Sequence, residues 1–124
     1  MWLLKVLVID DNLENIDVVT FFLQSNGIEC TSVTNGREGL ELLRKANFDI
    51  VLLDLALPDF SGIQIFDTLK KEVDIKEKNI VIFTASLLDE KEIQRLLSEG
   101  AKGIVTKPLS VDDLEEMIRI HQNK

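Results

Sequence analysis

Residues 50–54 read Ile50-Val51-Leu52-Leu53-Asp54, four aliphatic side chains followed at once by a carboxylate. A run that is apolar without alternation is typical of a strand buried on both faces, as in a parallel sheet covered by helices. Similar runs occur at Lys5–Ile9, Ile80–Phe83 and Gly103–Val105, with a more polar run at Ile28–Val33. The sequence therefore predicts five short strands, most of them buried.

Segments with helical spacing follow each of these strands. Their apolar residues recur every three or four positions, which is the pattern of an amphipathic helix. The predicted inward positions are Leu13, Ile16, Thr20 and Leu23, then Leu40 and Leu43, then Ile63, Phe66, Leu69 and Val73, then Ile93, Leu96 and Leu97, and last Val111, Leu114 and Ile118. Gly27 and Gly100 are typical of helix C-termini, and Asn35, Asp89 and Ser110 are typical N-caps.

Five strand–helix pairs in strict alternation predict an α/β fold with a parallel sheet between two layers of helices. Because crossovers between parallel strands are right-handed, few arrangements remain. We expect a flavodoxin-like (βα)5 three-layer sandwich with strand order 2-1-3-4-5, formed as a single domain by residues 1–124. In such sheets the ligand site lies beyond the carboxyl ends of the strands, where the strand order reverses. Here that point falls between the first and third strands.

Composition limits the classes of function. Among 124 residues, 14 Lys and Arg stand against 22 Asp and Glu, a net charge of −8, which argues against direct binding of nucleic acid. The single cysteine, Cys30, cannot form an internal disulfide, which fits a reducing compartment. The apolar start of the chain ends at Asp10, too short to span a bilayer and without the features of a signal peptide. We therefore expect a cytoplasmic protein that does not associate with membranes.

Polar residues stand at the carboxyl ends of four of the predicted strands. These residues are Asp10 and Asp11, Asp54, Thr84, and Lys107. Taken singly, an Asp in such a position is more often a turn former or a helix cap than a catalytic group. That structural explanation would have to apply independently at four separate segments, so we predict a functional site at this edge of the sheet.

The chemistry of these residue types explains why they occur together. Three neighbouring carboxylates repel each other unless a cation lies among them, and Mg²⁺ prefers such oxygen ligands. An Asp carboxylate can also attack phosphorus and form an aspartyl phosphate. Lys107 and Thr84 are a cation and a hydrogen-bond donor suited to phosphoryl oxygens. The sequence contains no Cys/His cluster for zinc and no glycine-rich nucleotide-binding motif.

Four blocks of sequence resemble the receiver domain of response regulators. They are Val8–Asn12, Ile50–Pro58 with Ser61 and Gly62, Ile82–Ala85, and Val105–Pro108, in the order and spacing of that family. The resemblance covers nearly the whole chain. It implies a phosphoacceptor in a two-component phosphorelay, which takes its phosphoryl group from a sensor histidine kinase or a phosphotransfer protein and acts on a downstream protein that the sequence does not identify. Such a protein is a switch that catalyses its own phosphorylation and slow dephosphorylation, rather than an enzyme.

The resemblance assigns the metal site and the phosphoacceptor. Asp54 would be phosphorylated. Asp11 would bind Mg²⁺ directly, and Asp10 would do so chiefly through water. The backbone carbonyl of Ala56 and the carboxylate of Asp54 would complete the protein ligands.

The resemblance also implies how the phosphoryl group is sensed. Thr84 would contact it, Lys107 would pair with it, and the Lys107–Pro108 bond would be cis, which proline permits. Receivers usually carry Phe or Tyr three residues before the lysine, whereas this chain has Ile104. An aliphatic side chain can fill space that Thr84 vacates, but it offers no ring or hydroxyl to report activation.

Two alternatives belong to other functional classes. One is a pseudo-receiver that binds partners without phosphorylation, but such proteins usually lack an acidic or lysine position that this chain keeps. The other is a phosphatase of the haloacid dehalogenase type, which also uses a strand-terminal Asp nucleophile. Those enzymes carry a second acid two residues later, where this chain has Ala56.

Overall fold

Five parallel strands form a sheet in the computed structural model, which describes residues 4–85, 88–107 and 110–122, without the side chains of residues 120–122. The strands are β1 (Lys5–Ile9), β2 (Glu29–Val33), β3 (Ile50–Asp54), β4 (Ile80–Thr84) and β5 (Gly103–Thr106). Their order is β2-β1-β3-β4-β5, so the predicted topology is confirmed. Every predicted strand boundary lies within one residue of the observed one.

Five helices connect and follow the strands. They are α1 (Leu13–Ser25), α2 (Gly36–Lys45), α3 (Gly62–Glu72), α4 (Glu90–Glu99) and α5 (Val111–Gln122). The predicted N-caps Asn35 and Asp89 are confirmed, since each side chain accepts a hydrogen bond from the third backbone N–H of its helix. A short 3₁₀ helix at Ile75–Lys78, which the sequence patterns did not predict, precedes β4.

The sheet is covered on both faces, and the core is correspondingly divided in two. On one face, Leu7, Leu53 and Ile82 pack with side chains of α2, α3 and α4. On the other face, Val8 and Leu52 pack with side chains of α1 and α5. This is the predicted three-layer sandwich. Among the described residues, no helix combines the length and apolar character needed to cross a membrane.

Some predicted helix faces were wrong. In α1 the buried residues are Ile16, Val19 and Leu23, whereas Leu13 is 65% exposed and Thr20 is half-buried. At about 100° per residue, the three buried positions lie within one narrow stripe, and Leu13 lies to the side of it.

Three further positions were also misplaced. Val111, the first residue of α5, is 56% exposed. Leu97 is turned about 100° from the buried Leu96 and is 41% exposed. Val73 caps α3 rather than continuing it and is 37% exposed.

Candidate functional site

Three carboxylates meet where β1 and β3 end side by side. Asp10 follows β1, Asp11 comes next, and Asp54 is the last residue of β3. One oxygen of each lies within 4.8 Å of those of the other two. Asp10 and Asp54 are buried, with 0% and 2% of their surface exposed, whereas Asp11 is exposed. The strand order reverses at this point, so the acids occupy the predicted ligand-binding edge of the sheet.

Lys107 brings a cation between the two buried acids. Its Nζ lies 3.0 Å from Oδ2 of Asp10 and 3.1 Å from Oδ2 of Asp54. The ammonium also lies 4.7 Å from the centre of the Phe83 ring, within the range of a cation–π interaction. Burial lowers the pKa of Lys107, but the hydrogen bonds to Asp10 and Asp54 outweigh it and hold that pKa above its usual value. The lysine therefore remains charged at neutral pH.

The Asp54 carboxylate is held between a cation and a backbone donor. Its Oδ2 accepts from Lys107, and its Oδ1 accepts from the backbone N–H of Ala56 at 3.1 Å. Burial raises the pKa of Asp54, and the negative charge of Asp10 adds to the rise, although the bonds from Ala56 and Lys107 oppose it. An additional cation nearby would favour the ionised, nucleophilic form.

The charges of the cluster suit a divalent cation. The three carboxylates carry −3 when ionised and Lys107 carries +1, which leaves −2 at the site. The donor atoms are oxygens, the ligands that Mg²⁺ prefers, and the exposed Asp11 leaves one side open for the waters that this ion keeps. The residues present therefore fit the predicted metal.

Thr84 and Ile104 lie on the neighbouring strands. Thr84 ends β4, is 1% exposed, and accepts a hydrogen bond from the backbone N–H of Lys107 through its carbonyl at 2.9 Å. Ile104 pairs with Ile82 in the sheet and packs, half-buried, against the core on the α2–α4 face. The predicted cis bond involves Pro108, which lies outside the described residues.

The loop after Asp54 folds back tightly on the end of β3. The Gly62 N–H donates to the carbonyl of Leu55 at 3.0 Å. A Cβ on Gly62 would lie only 2.4 Å from the carbonyl oxygen of Asp54, so no larger residue fits this position without a backbone shift. Ser61 and Gln64 form a capping box that starts α3 directly after this turn.

Asp59 joins the same loop to α2. Its carboxylate accepts hydrogen bonds from the backbone N–H groups of Gly36 at 2.7 Å and Arg37 at 3.0 Å. The first N–H groups of a helix have no acceptor within the helix and lie at its positive end, where a carboxylate is stabilising. The bond from Gly36 is the main reason why the pKa of Asp59 lies below its usual value. Sequence reasoning did not identify this contact, because its partners lie more than twenty positions away.

The Asp59 contact predicts a pH-dependent contribution to stability. Because the pKa of Asp59 is depressed in the folded state, its contribution is complete above the ordinary Asp pKa of about 3.9 and is lost as the pH falls through the lower folded value. We expect Asp59→Asn to unfold at lower urea than wild type at pH 7, with the difference shrinking in acid. Asp17→Asn, on the exposed side of α1, is the control and should show little change. If the difference in unfolding urea concentration between Asp59→Asn and wild type stayed constant with pH, this account would be contradicted.

Comparisons with known proteins agree with this architecture. The family model described as the response regulator receiver domain matches residues 6–119. The polar-differentiation response regulator DivK of Brucella anthropi is 28% identical over 115 residues, which are 93% of each chain. The receiver domain of Francisella response regulator 1452 superposes with a TM-score of 0.84 at 29% identity, covering 97% of both chains.

A further solved structure was determined with a metal. The response regulator TrrA of Thermotoga maritima, in complex with Mg²⁺-BeF, superposes with a TM-score of 0.78 at 28% identity, covering 98% of this chain and 99% of that one. The family model spans most of the chain. The strand order is the one that the alternation of strands and helices predicted, and Asp10, Asp11 and Asp54 cluster at the carboxyl edge of the sheet. This chain belongs to the response regulator receiver domain family of two-component signalling.

Proposed function

We propose that Asp54 accepts a phosphoryl group from a phosphohistidine of a sensor histidine kinase or a phosphotransfer protein, in a reaction that requires Mg²⁺. The observation that carries the proposal is the buried Asp54 carboxylate, held 3.1 Å from the Lys107 ammonium and clustered with two further acids. Residues 1–124 then form one domain that acts as a cytoplasmic switch on a downstream protein rather than on nucleic acid or a membrane.

In the proposed reaction, one carboxylate oxygen of Asp54 attacks phosphorus. A P–O bond forms, the P–N bond of the donor breaks, and its electron pair returns to the imidazole. Mg²⁺, held by Asp10, Asp11, Asp54 and the Ala56 carbonyl, would supply positive charge to the phosphoryl oxygens. Lys107 already lies between Asp10 and Asp54, and it would leave both carboxylates to pair with a phosphoryl oxygen. Thr84, at the end of the adjacent strand β4, is the proposed hydrogen-bond donor to a second phosphoryl oxygen.

The two alternatives are less well supported. A pseudo-receiver needs no buried, paired carboxylate, yet here the lysine and all three acids converge. A phosphatase of the haloacid dehalogenase type needs an acid where this chain has Ala56, whose methyl group can neither donate nor accept a proton.

The decisive experiment is phosphorylation by a small donor. Incubation with acetyl phosphate and Mg²⁺ should add one phosphoryl group that is labile to hydroxylamine, and Asp54→Asn should abolish the addition. Removing Mg²⁺ with EDTA should prevent the reaction, and Asp11→Ala should raise the Mg²⁺ concentration that it needs. Exposed Asp17→Asn is the matched control and should react normally. Normal labelling of Asp54→Asn would overturn the assignment, and normal labelling in EDTA would overturn the metal requirement.

A further inference from the structure

The side chain of Asn15 reaches from α1 to the buried acid Asp10. Its Nδ2 lies 3.3 Å from Oδ2 of Asp10, the same oxygen that accepts from Lys107 at 3.0 Å. The other oxygen of Asp10 accepts from the backbone N–H of Asn12 at 2.9 Å. Asp10 is fully buried, so these three donors are what fix the orientation of its carboxylate.

The start of α1 is built around this carboxylate. Asn12 is the N-cap, and its side chain accepts from the backbone N–H of Asn15 at 3.0 Å. In an ordinary capping box, the side chain at the position of Asn15 would bond back to the N-cap N–H. Here Asp10 accepts from that N–H, which frees the Asn15 amide to bond the second oxygen of Asp10. The spacing Asp-x-Asn-x-x-Asn therefore anchors the helix start to the end of β1.

The two side-chain donors to Asp10 differ in whether they can remain during the reaction. In the proposed function Lys107 moves to the phosphoryl group and leaves Asp10, whereas Asn15 has no such second partner. Asn15 is also uncharged, so it orients Asp10 without reducing the −2 that attracts a divalent cation. A lysine or arginine at the same position would compete with the metal.

We propose that Asn15 is a positioning residue of the metal site, which holds the Asp10 carboxylate in the orientation that Mg²⁺ and its waters require before and after Lys107 moves. The inference rests on the proposed function and adds a residue that the sequence analysis did not identify. Hydrogen-bond partners of metal ligands typically change metal affinity by about 10- to 100-fold when they are removed. Since Asp10 keeps its bond from Asn12, we expect the lower end of that range.

The test is an Mg²⁺ titration of the unphosphorylated protein, followed by amide chemical shifts. Asn15→Leu keeps the approximate shape but has no donor, and Asn15→Ala removes the amide and its volume. Both should bind Mg²⁺ about tenfold more weakly than wild type. With acetyl phosphate, both should need correspondingly more Mg²⁺ for half-maximal rate and should approach the wild-type rate at saturation.

Asn26→Ala is the control for helix stability. Its amide donates to the carbonyl of Phe22 at 2.8 Å at the opposite end of α1 and is far along the helix from Asp10. A merely structural role for Asn15 predicts that Asn15→Leu, like Asn26→Ala, lowers the melting temperature and leaves Mg²⁺ affinity unchanged. That result would overturn this inference alone, whereas failure of the wild type to bind Mg²⁺ would overturn the proposed function as well.

Discussion

Lys107→Met should destabilise the metal-free protein by about 3 kcal/mol, because removing one partner of a buried ion pair leaves the other charges uncompensated. Asp10 and Asp54 are almost wholly buried, and the Lys107 ammonium is the cation that bridges them in the described structure. Without it, two carboxylates face each other in a medium that solvates them poorly. Methionine retains most of the apolar stem, so the loss reports the charge rather than the packing against Phe83.

The same variant should respond unusually strongly to Mg²⁺. If the cation binds among Asp10, Asp11 and Asp54, it replaces the missing positive charge, so Mg²⁺ should recover much of the lost stability. Urea unfolding with and without Mg²⁺ measures this, and Lys102→Met, which changes an exposed lysine, is the control. Equal Mg²⁺ responses in Lys107→Met and wild type would show that the lysine and the metal do not share these acids.

Phosphorylation of Lys107→Met should be slow even where Mg²⁺ restores stability. One Mg²⁺ ion cannot fill both its own site and the position of the missing Lys107 ammonium. The phosphoryl oxygens therefore lose one of the two positive groups that would contact them. Removal of a preorganised charge of this kind typically costs about 100- to 1,000-fold in rate. Acetyl phosphate labelling at saturating Mg²⁺ measures the loss, and a rate close to that of wild type would exclude Lys107 from the reaction.

The sequence was sufficient to predict the fold and the grouping of the site residues, because both follow from short-range patterns. Buried parallel strands are continuous apolar runs, and the residue that ends each run lies at one edge of the sheet. That rule alone predicts that Asp10, Asp54 and Lys107 lie together. It could not distinguish Asp10 from Asp11, of which the first is buried with three donors and the second is exposed.

What the sequence did not predict depends on side-chain direction and on contacts between distant segments. The Asn15 amide is near Asp10 in the chain, but its direction follows from how α1 begins after its cap. The Asp59 bonds join a loop to the first residues of α2, which precede Asp59 by more than twenty positions. The exposure of Leu13 depends on which stripe of α1 meets the sheet, and several stripes were compatible with the apolar pattern.

Among substitutions that add a single methyl group near the site, Gly62→Ala should lower the stability of the protein most. The new Cβ would lie 2.4 Å from the carbonyl oxygen of Asp54 and 2.8 Å from Cα of Leu55, and both atoms belong to the backbone. Neither can rotate away as a flexible side chain would, so the end of β3 must shift. Overpacking of this kind costs about 3 kcal/mol.

The shift caused by Gly62→Ala would move Asp54, the proposed phosphoacceptor, so its consequences should extend beyond stability. Asp54 and Ala56 contribute a carboxylate and a carbonyl to the proposed metal site, and displacement of their backbone should weaken Mg²⁺ binding and slow phosphorylation together. Gly103→Ala is the matched control, because a Cβ there meets no atom within 4 Å. It should be neutral or slightly stabilising, since alanine loses less chain entropy on folding. If both variants unfolded at the same urea concentration and bound Mg²⁺ equally, the close approach of Gly62 to Asp54 would not determine the geometry of the Asp10, Asp11 and Asp54 cluster.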